Sequence, residues 1–126
     1  MNIALRAFLL TCVLALPTAC YSTPGTDQTP LLQRLEQEIL GQPVAGKLVY
    51  LFRQPLRGGD VISAWRFQHS VPQGFGATTF VFVDEQPGAN WEHAARYVFI
   101  DQASGRFRVE PGRTPPDKLT SMQRLN

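Results

Sequence analysis

The chain is poor in the side chains from which reactive sites are built. Its 126 residues include two cysteines and two histidines. Cys12 lies in an apolar N-terminal run, and removal of that run leaves Cys20 as the lone thiol, so no intramolecular disulfide can staple the fold. HExxH is absent, and a zinc site would need His69, His93 and distant carboxylates to converge. We therefore read neither metal nor cofactor. There is no G-x-S-x-G elbow, Ser63 and Ser70 stand in no supporting spacing, and Cys20 adjoins a turn-rich stretch where no base is held beside it. Gly58-Gly59 and Gly74-Phe75-Gly76 lie between strands and lack the strand-to-helix context of a phosphate loop. Nearly all positive charge is arginine, the net charge is only +2, and no basic block appears, which excludes a nucleic-acid footprint. The length excludes repeat arrays and Rossmann or barrel architectures and leaves room for one domain.

What the sequence does contain starts with an address. Arg6 precedes an apolar run, Ala7 to Leu16, about ten residues long, which is an export-signal core and too short for a membrane span. Pro17-Thr18-Ala19 breaks the run with small residues before Cys20. Residues 1–19 thus read as a signal peptide, and residues 20–29, rich in Pro, Gly, Ser and Thr, as a flexible tether. The junction Leu16-Pro17-Thr18-Ala19-Cys20 resembles that of bacterial lipoproteins. The resemblance implies that Cys20 is diacylated with palmitate-like chains and that the protein is exported and anchored in the cell envelope by lipid. The alternative is a soluble periplasmic or secreted protein. Two acyl chains hold far better than one, since each buried CH₂ contributes about 0.8 kcal/mol.

Residues 30–112 read as a single α+β domain and residues 113–126 as a polar C-terminal tail. Thr29 as N-cap and Pro30 at the first helical position open a helix. Leu31, Leu35 and Ile39 form its apolar stripe, with Leu32 and Leu40 alongside. Gly41 ends it, and Pro43 prevents continuation. Strands are expected at 47–53, 60–69, 79–84, 96–101 and 105–110, with Phe107 and Val109 facing in and Arg106, Arg108 and Glu110 out. The short connections favour antiparallel pairing. The expected architecture is one N-terminal helix packed on a roughly five-stranded antiparallel sheet.

Phe80-Val-Phe-Val-Asp84 and Tyr97-Val-Phe-Ile-Asp101 echo each other, each followed by a glycine. The simple account is that each Asp caps a turn and each Gly closes it with positive φ. The other account pairs Asp84 with Asp101 in one carboxylate site. The densest polar cluster is Asn90-Trp91-Glu92-His93. With Asp84 and Arg96 it is the candidate binding surface, and Trp91 is the natural lid over the core. Asp84, Glu92 and His93 are also the set that a small secreted hydrolase would use. Adjacent strand residues point to opposite faces, which argues against Glu92 and His93 converging. Arg53, Arg57, Arg66, Arg96, Arg106 and Arg108 are either a solvated face paired with carboxylates or an anion-binding surface.

Residues 96–109, strand–Asp-Gln-Ala-Ser-Gly–strand downstream of one helix, resemble PepSY-type secreted domains, which close with a hairpin of the form Asp-x-x-Thr/Ser-Gly. That resemblance implies a helix on an antiparallel sheet and an inhibitory or envelope-binding role without catalytic residues. The expected protein is a non-catalytic, membrane-tethered module that meets an envelope or secreted protein partner.

Overall fold

The computed structural model describes residues 28–126. The signal segment 1–19, Cys20 and the tether as far as residue 27 lie outside the described residues. Among the described residues no helix is long and apolar enough to cross a membrane.

The apolar stripe around Leu35 forms a helix, though not a uniform one. Helix α1 (Thr29–Arg34) passes into a π-helical turn, Leu35–Ile39, closed by the Leu40 N–H on the Leu35 carbonyl at 2.8 Å. The helix starts at Thr29 itself, so the cap falls one residue earlier than expected. Gln28, with no side-chain capping bond, occupies that position, and Pro30 sits in the first turn where a missing N–H costs nothing. Gly41 has φ +65°, as a helix-terminating glycine requires. A helix this short cannot persist alone. It is held because Leu35 and Ile39 are buried on the sheet and because Arg34 Nη2 donates to the Gly105 carbonyl at 2.6 Å.

The main sheet is antiparallel throughout. Its strands are β1 (Leu48–Leu51), β4 (Thr78–Asp84), β5 (Ala95–Asp101), β6 (Phe107–Gly112) and β7 (Gln123–Arg124), in the order β6-β5-β4-β1-β7. The α+β architecture with five antiparallel strands is therefore present, but its membership differs from expectation. Residues 60–69 do not form one strand. They fold back on themselves as β2 (Val61–Ala64) and β3 (Phe67–Ser70), a separate two-stranded hairpin turning at Trp65-Arg66. The fifth strand of the sheet comes from the segment read as a polar tail. β7 pairs with β1, and the side chain of Asn126 continues the ladder by accepting from the Val49 N–H and donating to the Lys47 carbonyl, both at 2.9 Å.

The alternation in the two echoed strands sorts the core into two layers. Val81, Val83, Val98 and Ile100 face the helix and pack with Leu35, Ile39, Val44 and Val49. Phe80, Phe82, Tyr97 and Phe99 face the other way and are covered by the hairpin, through Ala64 and Phe67, and by Leu119 and Met122. Both faces of β4 and β5 are thus dry, which is why these strands read as continuous apolar runs. In β6, Val109 packs inward as expected, whereas Phe107 is 42% exposed at the sheet edge and Glu110 is half-buried against His69.

Close approach at Gly112 belongs to this second layer. A Cβ there would lie 2.5 Å from Tyr97 Cε2, and the Tyr97 ring is fixed by stacking on His69 at 3.7 Å and on Phe80. Gly112→Ala is expected to lower stability by about 1–3 kcal/mol, the scale of an overpacked core. A chemical-denaturation midpoint indistinguishable from wild type would contradict this packing.

Candidate functional site

The site is assembled at the end of the sheet where β4 stops and β5 begins. Asp84 closes β4 and opens a turn by accepting the Gln86 N–H on Oδ1 at 3.0 Å, and Gly88 follows with φ +86°. Asp101 does the same at its own turn, accepting from Gly76 N–H, Ser104 N–H and the Ser104 hydroxyl, with Gly105 at φ +73°. Each aspartate is therefore a turn cap. The paired-carboxylate alternative fails on register. Asp84 lies opposite Ala95 and Asp101 opposite Thr78, six residues along β4, so about 20 Å of strand separates them. The Ser104 hydroxyl first, then the backbone N–H groups, hold the Asp101 carboxyl below its ordinary value.

The loop between β4 and β5 carries Asn90, Trp91, Glu92 and His93. It is tied down by the Glu85 N–H on the Ala94 carbonyl and by the His93 N–H on the Arg113 carbonyl at 2.9 Å. His93 is its central post. Its Nδ1 lies 2.7 Å from the Trp91 carbonyl and its Nε2 2.8 Å from Asp84 Oδ1. Both partners are acceptors, so both ring nitrogens must donate, and only the imidazolium does that. The Trp91 carbonyl foremost raises the His93 pKa above its ordinary 6.5; burial, next in size, opposes it, and the Asp84 hydrogen bond and charge add to the rise.

The sign follows directly. A raised histidine pKa contributes stability that is fully present below 6.5 and is lost as pH rises through the higher folded value. NMR titration of the His93 ring is expected to give a midpoint above 6.5. In Asp84→Asn the midpoint should fall yet stay raised, because the Trp91 carbonyl remains. A His93 midpoint at or below 6.5 in the wild-type chain would contradict the clamp.

Glu92 goes elsewhere. One carboxylate oxygen is bonded to the Arg66 guanidinium and the other lies 3.7 Å from Arg113 Nη1. Asp84 and His93 thus meet as a pair, and Glu92 does not join them. Arg96 is separated from the cluster altogether. It shares a face of β5 with Val98 and Ile100, the helix side, and binds Glu85 at 2.8 Å beside Lys47. The other arginines are largely engaged as well: Arg34 with Glu38, Arg108 with Glu110, and Arg106 over the Phe75 ring. His69 and His93 line a common cleft with Glu92 and Arg113, but among the described residues no group of three or more His, Cys, Asp or Glu is placed to hold a metal ion.

Trp91 does not cover the core. It is 81% exposed and lines an open cleft of about 860 Å³. Trp65, at the hairpin tip and 66% exposed, lines the same cleft, whose walls also include Asn90, Glu92, His93, Thr114, Pro115, Pro116 and Asp117. Trp65 stands at the first central position of a two-residue hairpin connection with φ +54°, the only non-glycine positive φ among the described residues. That place favours Gly, Asn or Asp, and for a bulky side chain it is a strained outlier. The conformation is imposed by the C-terminal segment. Asp117 Oδ1 accepts the Trp65 N–H at 2.7 Å, the Asp117 N–H donates to the Ser63 carbonyl at 2.9 Å, and the Thr114 hydroxyl donates to the Ala64 carbonyl at 3.1 Å. Tyr97, whose phenol is pushed up chiefly by burial and secondarily by the Asp117 charge, stays a donor and holds the Thr114 carbonyl at 2.7 Å.

Of the residues expected in a binding surface, Trp91, Glu92 and His93 line the cleft, Asp84 touches it only through His93 and Arg96 lies apart; Trp65 and residues 114–117 were not among those expected. Compared with protein families, curated proteins and solved structures, the chain matches none of them.

Proposed function

We propose that this chain is an exported, lipid-tethered, non-catalytic binding or inhibitory module of the bacterial cell envelope, and that the Trp65–Trp91 cleft is its recognition surface. The observation that carries the reading is Trp65. It is neither core residue nor preferred turn residue, yet it is held in a strained conformation and presented to solvent in the same cleft as a second exposed tryptophan. Strain of this kind persists only where surrounding structure over-determines it, and such places cluster at ligand clamps. Two neighbouring exposed indoles are also the side chains most enriched among binding hot spots.

The hydrolase reading has weaker support. His93 has both nitrogens donating, so it has no lone pair free to act as a base. Glu92 is neutralised by two arginines, and the one hydroxyl in the cleft, on Thr114, is bonded to a carbonyl.

The geometry suits a tether. Leu31 and Arg34 of the helix pack near Asp101 and Gly105, at the end of the sheet remote from the cleft. Two variants test the proposal. Cys20→Ala should move the protein from the membrane fraction to the soluble one. Trp91→Ala should abolish crosslinking to its envelope partner without changing that location. Unchanged fractionation would contradict the anchor, and an unchanged crosslinked partner would contradict the surface.

A further inference from the structure

We propose that the cleft takes an extended, proline-containing peptide segment bearing a basic residue, with proline rings against the indoles and the cation on Asp117. This deepens the binding reading above and rests on it.

The shape of the site is the first argument. Among the described residues the aromatic rings that touch one another belong to the core, and neither tryptophan is among them. Trp65 and Trp91 line one open cleft without ring contact to each other, so they do not form a closed aromatic cage. A ligand with apolar ridges at intervals can present one to each exposed indole. A polyproline II segment supplies them, with three residues per turn and a ridge about every 9 Å.

The polar groups still free in the cleft are the second argument. Both nitrogens of His93 are bonded, Glu92 is held by Arg66 and Arg113, and the Thr114 hydroxyl is bonded to Ala64. What remains is the pair of indole N–H donors, the Asn90 amide and the second oxygen of Asp117. A proline-rich backbone presents carbonyl acceptors and few N–H donors, which matches two indole donors. A glycan strand, whose hydroxyls each donate and accept, would find too few acceptors here.

Charge supplies the basic residue. Among the described residues Asp117 has no cationic partner, while the two nearby guanidinium groups belong to Glu92. Arg66 already lies 4.4 Å from the Trp65 ring centroid, so this indole accepts a cation on its face.

The chain has two tryptophans, both in the cleft, so the intrinsic fluorescence of the full chain reports the site when the probes lack tryptophan. The probes are a peptide of about twelve residues with Pro-x-x-Pro spacing and a terminal arginine, its proline-to-alanine counterpart, its arginine-to-glutamate counterpart, and soluble cell-wall glycan strands. Only the first is expected to move emission to shorter wavelength and to protect against iodide quenching. Trp91→Ala should weaken its binding about 30-fold, the hot-spot scale. Asp117→Asn, which retains an oxygen for the Trp65 N–H, should weaken it about tenfold.

Equal binding of the proline-free peptide would overturn the proline assignment, and equal binding of the glutamate peptide would overturn the role of Asp117. A response to glycan strands alone would overturn the peptide class and leave the cleft a binding site. If no probe moves the emission, the peptide assignment falls. If in addition Trp91→Ala keeps its crosslinked envelope partner, the binding reading falls with it.

Discussion

Replacing Trp65 with glycine is expected to leave the protein as stable as wild type, or slightly more stable, while abolishing partner binding. In a core, loss of a tryptophan costs about 3–5 kcal/mol. Here the side chain is 66% exposed and its backbone has φ +54°. Relief of the left-handed conformation returns about 1–2 kcal/mol. Against this stand the extra freedom of glycine in the unfolded chain, about 0.5–1 kcal/mol, and loss of the exposed Arg66 contact, about 0.5–1 kcal/mol. The terms nearly cancel, so the denaturation midpoint should correspond to a change within about 1 kcal/mol. Binding should fall by about 2 kcal/mol or more, as for other aromatic anchors. A large loss of stability would mean that Trp65 is structural. Retention of binding at wild-type stability would leave its strained placement without a purpose.

Removal of residues 113–126 should have the largest effect on folding. These residues look dispensable by composition, yet they supply β7, the strap from Thr114 and Asp117 to the hairpin, and the contacts of Leu119 and Met122 with the aromatic layer. Burying Leu119 and Met122 contributes about 1–2 kcal/mol each, and the hydrogen bonds of Thr114, Asp117 and Asn126 about 1 kcal/mol apiece. Their sum, on the order of 5 kcal/mol or more, rivals the whole stability of a small domain. The truncated chain should therefore lose its cooperative unfolding transition and its near-ultraviolet circular dichroism. A sharp, wild-type-like transition would show that the segment merely rests on the surface.

The parts of the fold legible in sequence are those written in local periodicity. The Leu31–Leu35–Ile39 stripe, the echoed strands ending in Asp84 and Asp101 and their glycines all appear where local pattern puts them. The split at Trp65-Arg66 was not legible, because the turn contains no Gly, Asn or Asp and Val61 to His69 alternates convincingly as one strand. Its cause lies about fifty residues away, in the Asp117 carboxylate. The strap was hidden for the same reason: Pro115, Pro116 and a few polar residues carry no period, and their role is fixed by bonds to distant backbone. One signal was available and unused. Period two in β5 places Arg96 with Val98 and Ile100, on the face opposite Tyr97, and so away from the aromatic layer that the hairpin covers.

The two tryptophans also allow the central claim to be read directly. With the chain labelled by fluorotryptophan, ¹⁹F NMR gives one resonance for Trp65 and one for Trp91, assigned through Trp65→Gly and Trp91→Ala. On addition of an unlabelled envelope fraction that contains the crosslinking partner, both resonances should shift or broaden together, because both indoles line the cleft that is filled. Two resonances unmoved while the protein is demonstrably in complex would place recognition elsewhere and contradict the account.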